Sequence, residues 1–338
     1  MTTESTPRVG VRTRRLTDNR LRYVKQLGAD DVFVDPLIDD SIDDPYFSKS
    51  TGDEPEGLVF HEERPPSVSA LTGVRERVEA KGLRLAGIHT VPPTLYDDIV
   101  FGRDGAPEQV EWYRDLIRNA GRASVPVVGY QWCPGGVYRT ADAKRIRGGA
   151  EATAYDHAAF DGDANDVDVT EAEMWDNYER FLEEVLPVAE EAGVRLALHP
   201  DDPPNFPQLE GVPRLFRDRE SLARGMDLVP SDNHGLKLCL GCFSEMGEDV
   251  PDVVREFGER DQIVFVHFRD VVGTVPSFHE TFVDAGNFDP HAVARTLVDV
   301  GFAGAIIPDH VPAVEGDTEW GHRARAFTIG YLKALAEL

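Results

Sequence analysis

VRLALH, residues Val194 to His199, is followed at once by the loop sequence PDDPP at 200–204. A short apolar run rich in branched residues is typical of a buried strand. The Pro- and Asp-rich segment ends that strand, so His199 lies at its carboxyl end. This stretch therefore predicts a buried strand that presents an imidazole where the strand stops.

Three later segments repeat the pattern: LKLC at Leu236–Cys239, IVFVH at Ile263–His267 and AIIPD at Ala305–Asp309. Each is an apolar run that ends in a side chain able to bind a transition metal. In a barrel of parallel strands, the carboxyl ends of all strands meet on one face. We therefore expect His199, Cys239, His267 and Asp309, the four candidate ligands, to converge.

Further apolar runs at 8–12, 31–34, 83–89 and 125–132 bring the predicted strands to eight, and helical patterns such as Glu171–Ala192 alternate with them. This alternation predicts one α/β domain over residues 1–338, a (β/α)8 TIM barrel. A doubly wound open sheet is the alternative, but no GxGxxG turn follows the first strand. The acidic segment 35–66 and the segment 133–170 lack periodicity, and we interpret both as long loops.

The chain carries 61 acidic and 35 basic residues, a formal net charge of −26. Nucleic acid is thereby excluded as a partner, because its phosphates would be repelled. Scarce lysine and abundant aspartate are typical of the solvated acidic surface of halophilic proteins. Neither a membrane-spanning apolar run nor the apolar core of a signal peptide is present, so we expect a cytoplasmic protein without a membrane partner. A homo-oligomer is compatible with these features.

Three cysteines, Cys133, Cys239 and Cys242, do not make a disulfide framework in such a protein. Cys239 and Cys242 form a single CxxC pair, which is weak evidence for a zinc site without a second pair. Since both lie in or just after a strand, we expect only one of them to face the barrel interior.

Imidazole, thiolate and carboxylate together suit Mn(II), Fe(II), Co(II) or Zn(II). Each residue taken singly is more often a satisfied core residue than a ligand, but their joint placement at four neighbouring strand ends is harder to obtain by accident. A structural zinc site usually carries more thiolates, whereas this mixed set leaves coordination positions open and favours a catalytic ion. Arg269, two residues after His267, could bind a substrate carboxylate through two hydrogen bonds. The alternative for Arg269 is a salt bridge with Asp270 or Asp309.

Several motifs occur in an order that resembles the mannonate dehydratase family of sugar-acid lyases: YRT at 138–140, RGGA at 147–150, LHPDDPP at 198–204, GLKLCLG at 235–241, HFRDV at 267–271, SFHE at 277–280 and PDH at 308–310. The resemblance implies a xylose-isomerase-like barrel in which the four candidate ligands bind Mn(II). It also implies a catalytic role for His310, for which the alternative is orienting Asp309. Loop residues expected to overhang the site and bind substrate are Arg139, Arg147, Ser277 and His279.

The chain also departs from that family. A Gly-Tyr-Gly near the last helix is replaced by Glu319-Trp320-Gly321, so a phenol is missing. Arg269-Asp270 stands where the family has Arg-Asn. The resemblance implies dehydration of D-mannonate, or a related hexonate, to 2-keto-3-deoxygluconate and water. The alternatives are an isomerase or epimerase on the same metal-dependent barrel, and an inactive homologue that binds a sugar acid.

Overall fold

The computed structural model describes residues 6–44, 47–50, 56–162 and 167–337. Parts of both expected long loops, at 45–46, 51–55 and 163–166, lie outside the described residues, as does the N-terminal segment 1–5.

Sixteen strands are present in the described chain: β1 Arg8–Thr13, β2 Asp31–Val34, β3 Pro36–Ile38, β4 Leu58–Phe60, β5 Arg84–Ile88, β6 Val127–Gln131, β7 Ala141–Arg145, β8 Glu151–Asp156, β9 Arg195–His199, β10 Gln208–Leu209, β11 Val212–Pro213, β12 His234–Cys239, β13 Ile263–His267, β14 Val271–Thr274, β15 Ser277–Glu280 and β16 Ala305–Ile307. Ten α-helices accompany them: α1 Asp18–Gln26, α2 Val68–Glu79, α3 Asp97–Phe101, α4 Ala106–Arg122, α5 Glu171–Ala192, α6 Arg219–Leu228, α7 Leu240–Met246, α8 Val250–Glu259, α9 Pro290–Asp299 and α10 His322–Ala336.

Eight of the strands form a closed parallel barrel in the order β1-β16-β13-β12-β9-β6-β5-β2. Chain neighbours are barrel neighbours, and β1 closes the ring on β16 through the pairs Arg8–Ala305 and Val9–Ile306. The prediction of a TIM barrel is confirmed, and the alternative of an open doubly wound sheet is wrong because no edge remains. All eight strands predicted from the sequence are barrel strands.

The strands are covered on both faces, which explains why they are apolar throughout rather than alternating. A small inner cluster, including Phe33, Ala197 and Phe265, fills the barrel, and the Phe33 and Phe265 rings stack at 4.2 Å between centroids. A much larger cluster lies between the strands and the surrounding helices.

The two ends of helix α5 show how the local sequence determines where β9 begins. Thr170 and Glu173 form a capping box at its start, which satisfies two backbone N–H groups. Gly193, with φ of 64°, ends the helix in the left-handed conformation that glycine adopts at little cost. The chain then enters β9 directly, and His199 takes the last position of that strand.

The two segments expected to be long loops contain regular structure. Within 35–66, β3 and β4 pair in parallel. Within 133–170, β7 and β8 join β14 and β15 in a four-stranded antiparallel sheet, in the order β14-β15-β8-β7. The alternating pattern of such short strands is too weak to detect in the sequence. No helix among the described residues is long and apolar enough to cross a membrane.

Candidate active site

The four candidate ligands lie together at the carboxyl end of the barrel. His199, Cys239 and His267 end β9, β12 and β13, and Asp309 follows β16 by two residues. All four are buried. Ligand atoms lie within 4.8 Å of one another in two overlapping groups: Cys239 with His267 and Asp309, and Cys239 with His199 and Cys242. The convergence expected from the four strand ends is therefore present.

The two histidines are oriented toward Cys239. Nδ1 of His199 lies 2.6 Å from the carbonyl oxygen of Pro200, so it donates there and leaves Nε2 with its lone pair. Nε2 of His267 lies 2.9 Å from Nε2 of His89. Nδ1 of His267 lies 3.4 Å from Oδ2 of Asp309, without an aligned hydrogen bond in the described part of the chain. A buried, unsatisfied nitrogen facing an oxygen and a sulfur is what a metal ion would satisfy.

The charge of Cys239 also fits a metal site. Burial alone would raise the pKa of its thiol, but a hydrogen bond from Cys242, the charge of Arg269 and the neighbouring imidazoles of His199 and His267 hold that pKa well below its usual value. The thiolate is the form that binds metals. The residues present therefore fit a divalent ion.

Cys242 corrects one expectation from the sequence. Its sulfur lies in the same group as His199 and Cys239, so both thiols of the CxxC pair face the site. The reason is that the chain turns into α7 directly after Cys239, and a residue three positions along a helix returns to the same side. Burial and the neighbouring thiolate raise the pKa of the Cys242 thiol, so it stays protonated and donates to Cys239.

Arg269 lies in a buried ion-pair network beside the ligands. Its guanidinium is 2.5 Å from Oδ2 of Asp202, 2.6 Å from Oε1 of Glu245 and 3.0 Å from Oδ2 of Asp309. Asp202, Cys242 and Glu245 form a third cluster of possible metal ligands, but Arg269 already pairs with both of its carboxylates. Arg269 does not line the cavity described below, and its donors face protein carboxylates. Contact between Arg269 and a substrate therefore stays a prediction that this placement does not favour.

Arg139 belongs to the same network. It binds Asp202 through two hydrogen bonds of 2.6 and 2.9 Å and donates to Glu280 Oε1 at 2.8 Å. Together, the two buried arginines fix the carboxylates that surround the ligands. Arg139 thus holds the wall of the site, and its contact with substrate also stays a prediction.

His310 lines the cavity beside Asp309. Its Nδ1 is 2.5 Å from Oε1 of Glu280, and its Nε2 is 3.9 Å from Oδ1 of Asp309. Burial lowers the pKa of His310, but the carboxylates of Asp309 and Glu280 outweigh it and raise that pKa above the ordinary value. A histidine held in this way can present Nε2 to a bound molecule.

Three other predicted substrate contacts lie away from the cavity. Arg147 is half-exposed, pairs with Asp284 at 2.8 Å and stacks on the ring of Phe282. Ser277 and His279 alternate with the buried Phe278 and Glu280 along β15, so they point to the opposite side. The structure brings Glu280 to the site instead, and the alternation in SFHE was the signal that could have identified it.

Sequence reasoning also missed three polar residues of the site. His89 follows β5, and its Nδ1 lies 2.8 Å from Oδ1 of Asp35, which follows β2. Both therefore obey the strand-end pattern that identified the ligands. Lys237 lies two residues before Cys239 and faces the same interior, where its Nζ donates to the carbonyl of His89 at 3.1 Å. Burial lowers the pKa of Lys237 to about 7.

A cavity of about 200 Å³ opens at this end of the barrel, and its lining includes His199, His267, Asp309, His310 and Lys237. A larger cavity, of about 460 Å³, lies at the opposite end and is lined by Arg8, Arg84 and Arg195 at the strand starts. We place the active site at the carboxyl end, where TIM-barrel enzymes carry their catalytic groups. Trp320, at the position where the family resemblance implies a tyrosine, lies outside the smaller cavity, with the Arg20 guanidinium 3.7 Å from its ring centroid.

Comparison with known proteins agrees with this geometry. The family model for D-mannonate dehydratase matches residues 17–167 and 164–338. A mannonate dehydratase of Streptococcus pneumoniae is 30% identical over 298 residues, covering 78% of this chain and 80% of that protein. A mannonate dehydratase of Thermotoga neapolitana is 31% identical over 290 residues, covering 75% of this chain and 78% of that protein.

Solved structures give the same result. The crystal structure of mannonate dehydratase from Streptococcus suis superposes with a TM-score of 0.83 at 27% identity, covering 98% of this chain and 93% of that one. An L-ribulose 3-epimerase superposes with a TM-score of 0.59 at 15% identity, covering 98% and 95%, and this likeness shows a shared fold alone. The chain belongs to the D-mannonate dehydratase family.

Proposed function

We propose that this protein is a metal-dependent hydro-lyase that converts D-mannonate to 2-keto-3-deoxygluconate and water. The observation that carries the proposal is the convergence of His199, Cys239, His267 and Asp309, beside a cavity that the two histidines and Asp309 line together with His310. Family membership makes the chain a dehydratase, and the site supplies the groups that such a reaction needs.

The four candidate ligands would hold the ion, with Mn(II) favoured and Fe(II), Co(II) or Zn(II) compatible with the same donor set. A divalent ion would supply Lewis-acid stabilisation of the negative charge that develops on the carboxylate when the neighbouring C2 proton is removed. Cys242 keeps Cys239 in its thiolate form, and Pro200 fixes the tautomer of His199.

The substrate carboxylate would meet basic side chains among the residues that line the cavity. Arg12 lines it, with Nη2 3.4 Å from Oδ1 of Asp309, and Lys237 lines it beside His89. These cations would orient C1 beside the candidate ligands. They also explain how an anionic sugar approaches a protein whose net charge is −26.

His310 would transfer the proton. With Nδ1 held by Glu280, its Nε2 can take the C2 proton or donate a proton to the leaving C3 hydroxyl. The indole of Trp320 cannot act as a phenolic acid and lies outside this cavity, so we assign the acid–base step to His310 without a tyrosine partner.

The test is incubation of the purified protein with a panel of hexonates, with Mn(II) and with chelator. We expect a 2-keto-3-deoxy acid from D-mannonate in the presence of Mn(II), and none after chelation. An isomerase or epimerase would return a sugar acid that keeps all its hydroxyls. An inactive binding homologue would leave every hexonate unchanged.

A further inference from the structure

A second cavity, of about 550 Å³, adjoins the active-site cavity, and Arg12, Arg14 and Asp35 line both. We call it the basic pocket, and define it by Arg15, Arg20, Trp320, His322 and Arg325 in addition to those shared residues. Of the residues that line it, the dehydratase chemistry described above uses Arg12 alone.

The charge of the basic pocket opposes that of the whole chain. The protein has a formal net charge of −26, yet five arginines line this one cavity. No carboxylate oxygen of the described residues lies within salt-bridge distance of Arg20 or Arg325. Burial and the neighbouring Arg15 lower the pKa of Arg20 to about 10. The carboxylates of Asp35, Glu56 and Glu319 also line the cavity, but the arginines outnumber them, and two arginines without a carboxylate partner favour an anion as ligand.

The arginines are held in place by other contacts. The Arg20 guanidinium stacks on Trp320 at 3.7 Å from the ring centroid. Arg325 donates to the carbonyls of Trp320 at 2.8 Å and of Asp309 at 3.1 Å. This chain of contacts connects the pocket to a candidate metal ligand. Arginines fixed before a ligand arrives lose little entropy when they bind a carboxylate or a phosphate.

We infer that the basic pocket binds a second anionic group of the substrate, a carboxylate or a phosphate at the end remote from C1. The inference rests on the proposed function, in which C1 lies beside the candidate ligands. It extends the substrate class from hexonates to doubly charged sugar acids. Trp320 fits this assignment, because its ring supports Arg20 and adds no negative charge.

The test compares Arg20→Gln with Arg22→Gln, a matched control on the same helix whose side chain is exposed and pairs with Asp18 outside the pocket. The probes are D-mannarate and D-mannonate 6-phosphate, measured as substrates or as inhibitors of D-mannonate turnover, and inorganic phosphate, measured by calorimetry. Ionic strength is held constant, since salt screens these contacts. Arg15→Gln serves as a second variant if Arg20→Gln does not fold.

We expect wild type and Arg22→Gln to bind at least one doubly charged acid about tenfold more tightly than D-mannonate, and Arg20→Gln to lose that advantage. Whichever of the two acids depends more on Arg20 identifies the anion as carboxylate or phosphate. If Arg20→Gln binds each of the three probes as tightly as Arg22→Gln does, the inference is overturned, and D-mannonate turnover is unaffected. Failure to dehydrate D-mannonate would instead overturn the proposed function, and calorimetry would still decide the pocket.

Discussion

Nδ1 of His310 lies 2.5 Å from Oε1 of Glu280, a carboxylate that also accepts a hydrogen bond from Arg139. Burial raises the pKa of Glu280, but His310, Arg139 and Arg269 together hold it well below its ordinary range, so the carboxylate is charged. A charged acceptor fixes the proton of His310 on Nδ1 when the ring is neutral. The other nitrogen is then the one that can exchange a proton with a substrate.

His310→Asn should therefore keep the metal and still bind D-mannonate, but lose about two to four orders of magnitude in kcat. Asparagine keeps a polar group of similar size without a titratable nitrogen. Steady-state kinetics with metal analysis checks the prediction. His291→Asn, at an exposed position of α9, is the control and should turn over like wild type. A His310→Asn enzyme within a few-fold of wild type would show that the proton moves through another group.

Cys239→Ser should weaken metal binding by at least about 100-fold, whereas Cys242→Ser should cost about tenfold or less. Cys239 would bind the ion directly, while Cys242 donates to the thiolate and stabilises it. Titration with Co(II) distinguishes the two, because a thiolate-to-cobalt charge-transfer band should disappear in Cys239→Ser and persist in Cys242→Ser. Equal metal content in both variants would remove Cys239 from the ligand set.

His234 predicts a pH dependence of stability that is separate from the active site. It is buried against Tyr130, whose hydroxyl lies 2.8 Å from its Nε2, and burial lowers its pKa to about 3. Unfolded, the residue would titrate near 6.5. Between these two pKa values, His234 binds a proton in the unfolded state but not in the folded state. Its contribution to the free energy of unfolding is therefore fully present above pH 6.5 and is lost as the pH falls toward 3.

The expected loss is about 1.4 kcal/mol per pH unit in that window, and His234→Gln should remove this contribution. Urea unfolding of both proteins at several pH values measures it. Carboxylates titrate in both proteins, so only the difference in slope reports on His234. Parallel curves would mean that His234 is protonated in the folded state.

Salt should stabilise the protein. With 61 acidic and 35 basic residues, the folded chain repels itself, and screening relieves that repulsion. We expect the Tm to rise steeply from low to molar KCl, and glycerol at matched osmolality not to reproduce the rise. A Tm independent of KCl would contradict the halophilic interpretation.

The barrel could be predicted from the sequence because each barrel strand is a compact apolar run and the helices alternate with them. The same local signal predicted candidate metal ligands at the carboxyl ends of β9, β12, β13 and β16. His89 and Asp35 carried that signal too, at the ends of β5 and β2. They could have been found by applying the strand-end rule to all eight strands.

Other features depend on contacts that local sequence does not encode. Arg269 and Arg139 resemble substrate-binding residues by motif, yet in the structure carboxylates distant in sequence, such as Asp202 and Glu280, occupy their donors. Arg147, Ser277 and His279 were placed near the site by motif alone. Their orientation depends on the pairing of β8 with β15, which joins segments more than 100 residues apart.

The central claim is elimination of water from D-mannonate, and proton NMR of the reaction in D₂O with Mn(II) tests it most directly. Removal of the C2 proton and the C3 hydroxyl gives an enol that must take a solvent proton at C3 when it becomes the ketone. We predict 2-keto-3-deoxygluconate with one deuterium at C3. A product that keeps the C3 hydroxyl and carries deuterium at C2 would show epimerisation and would contradict the account.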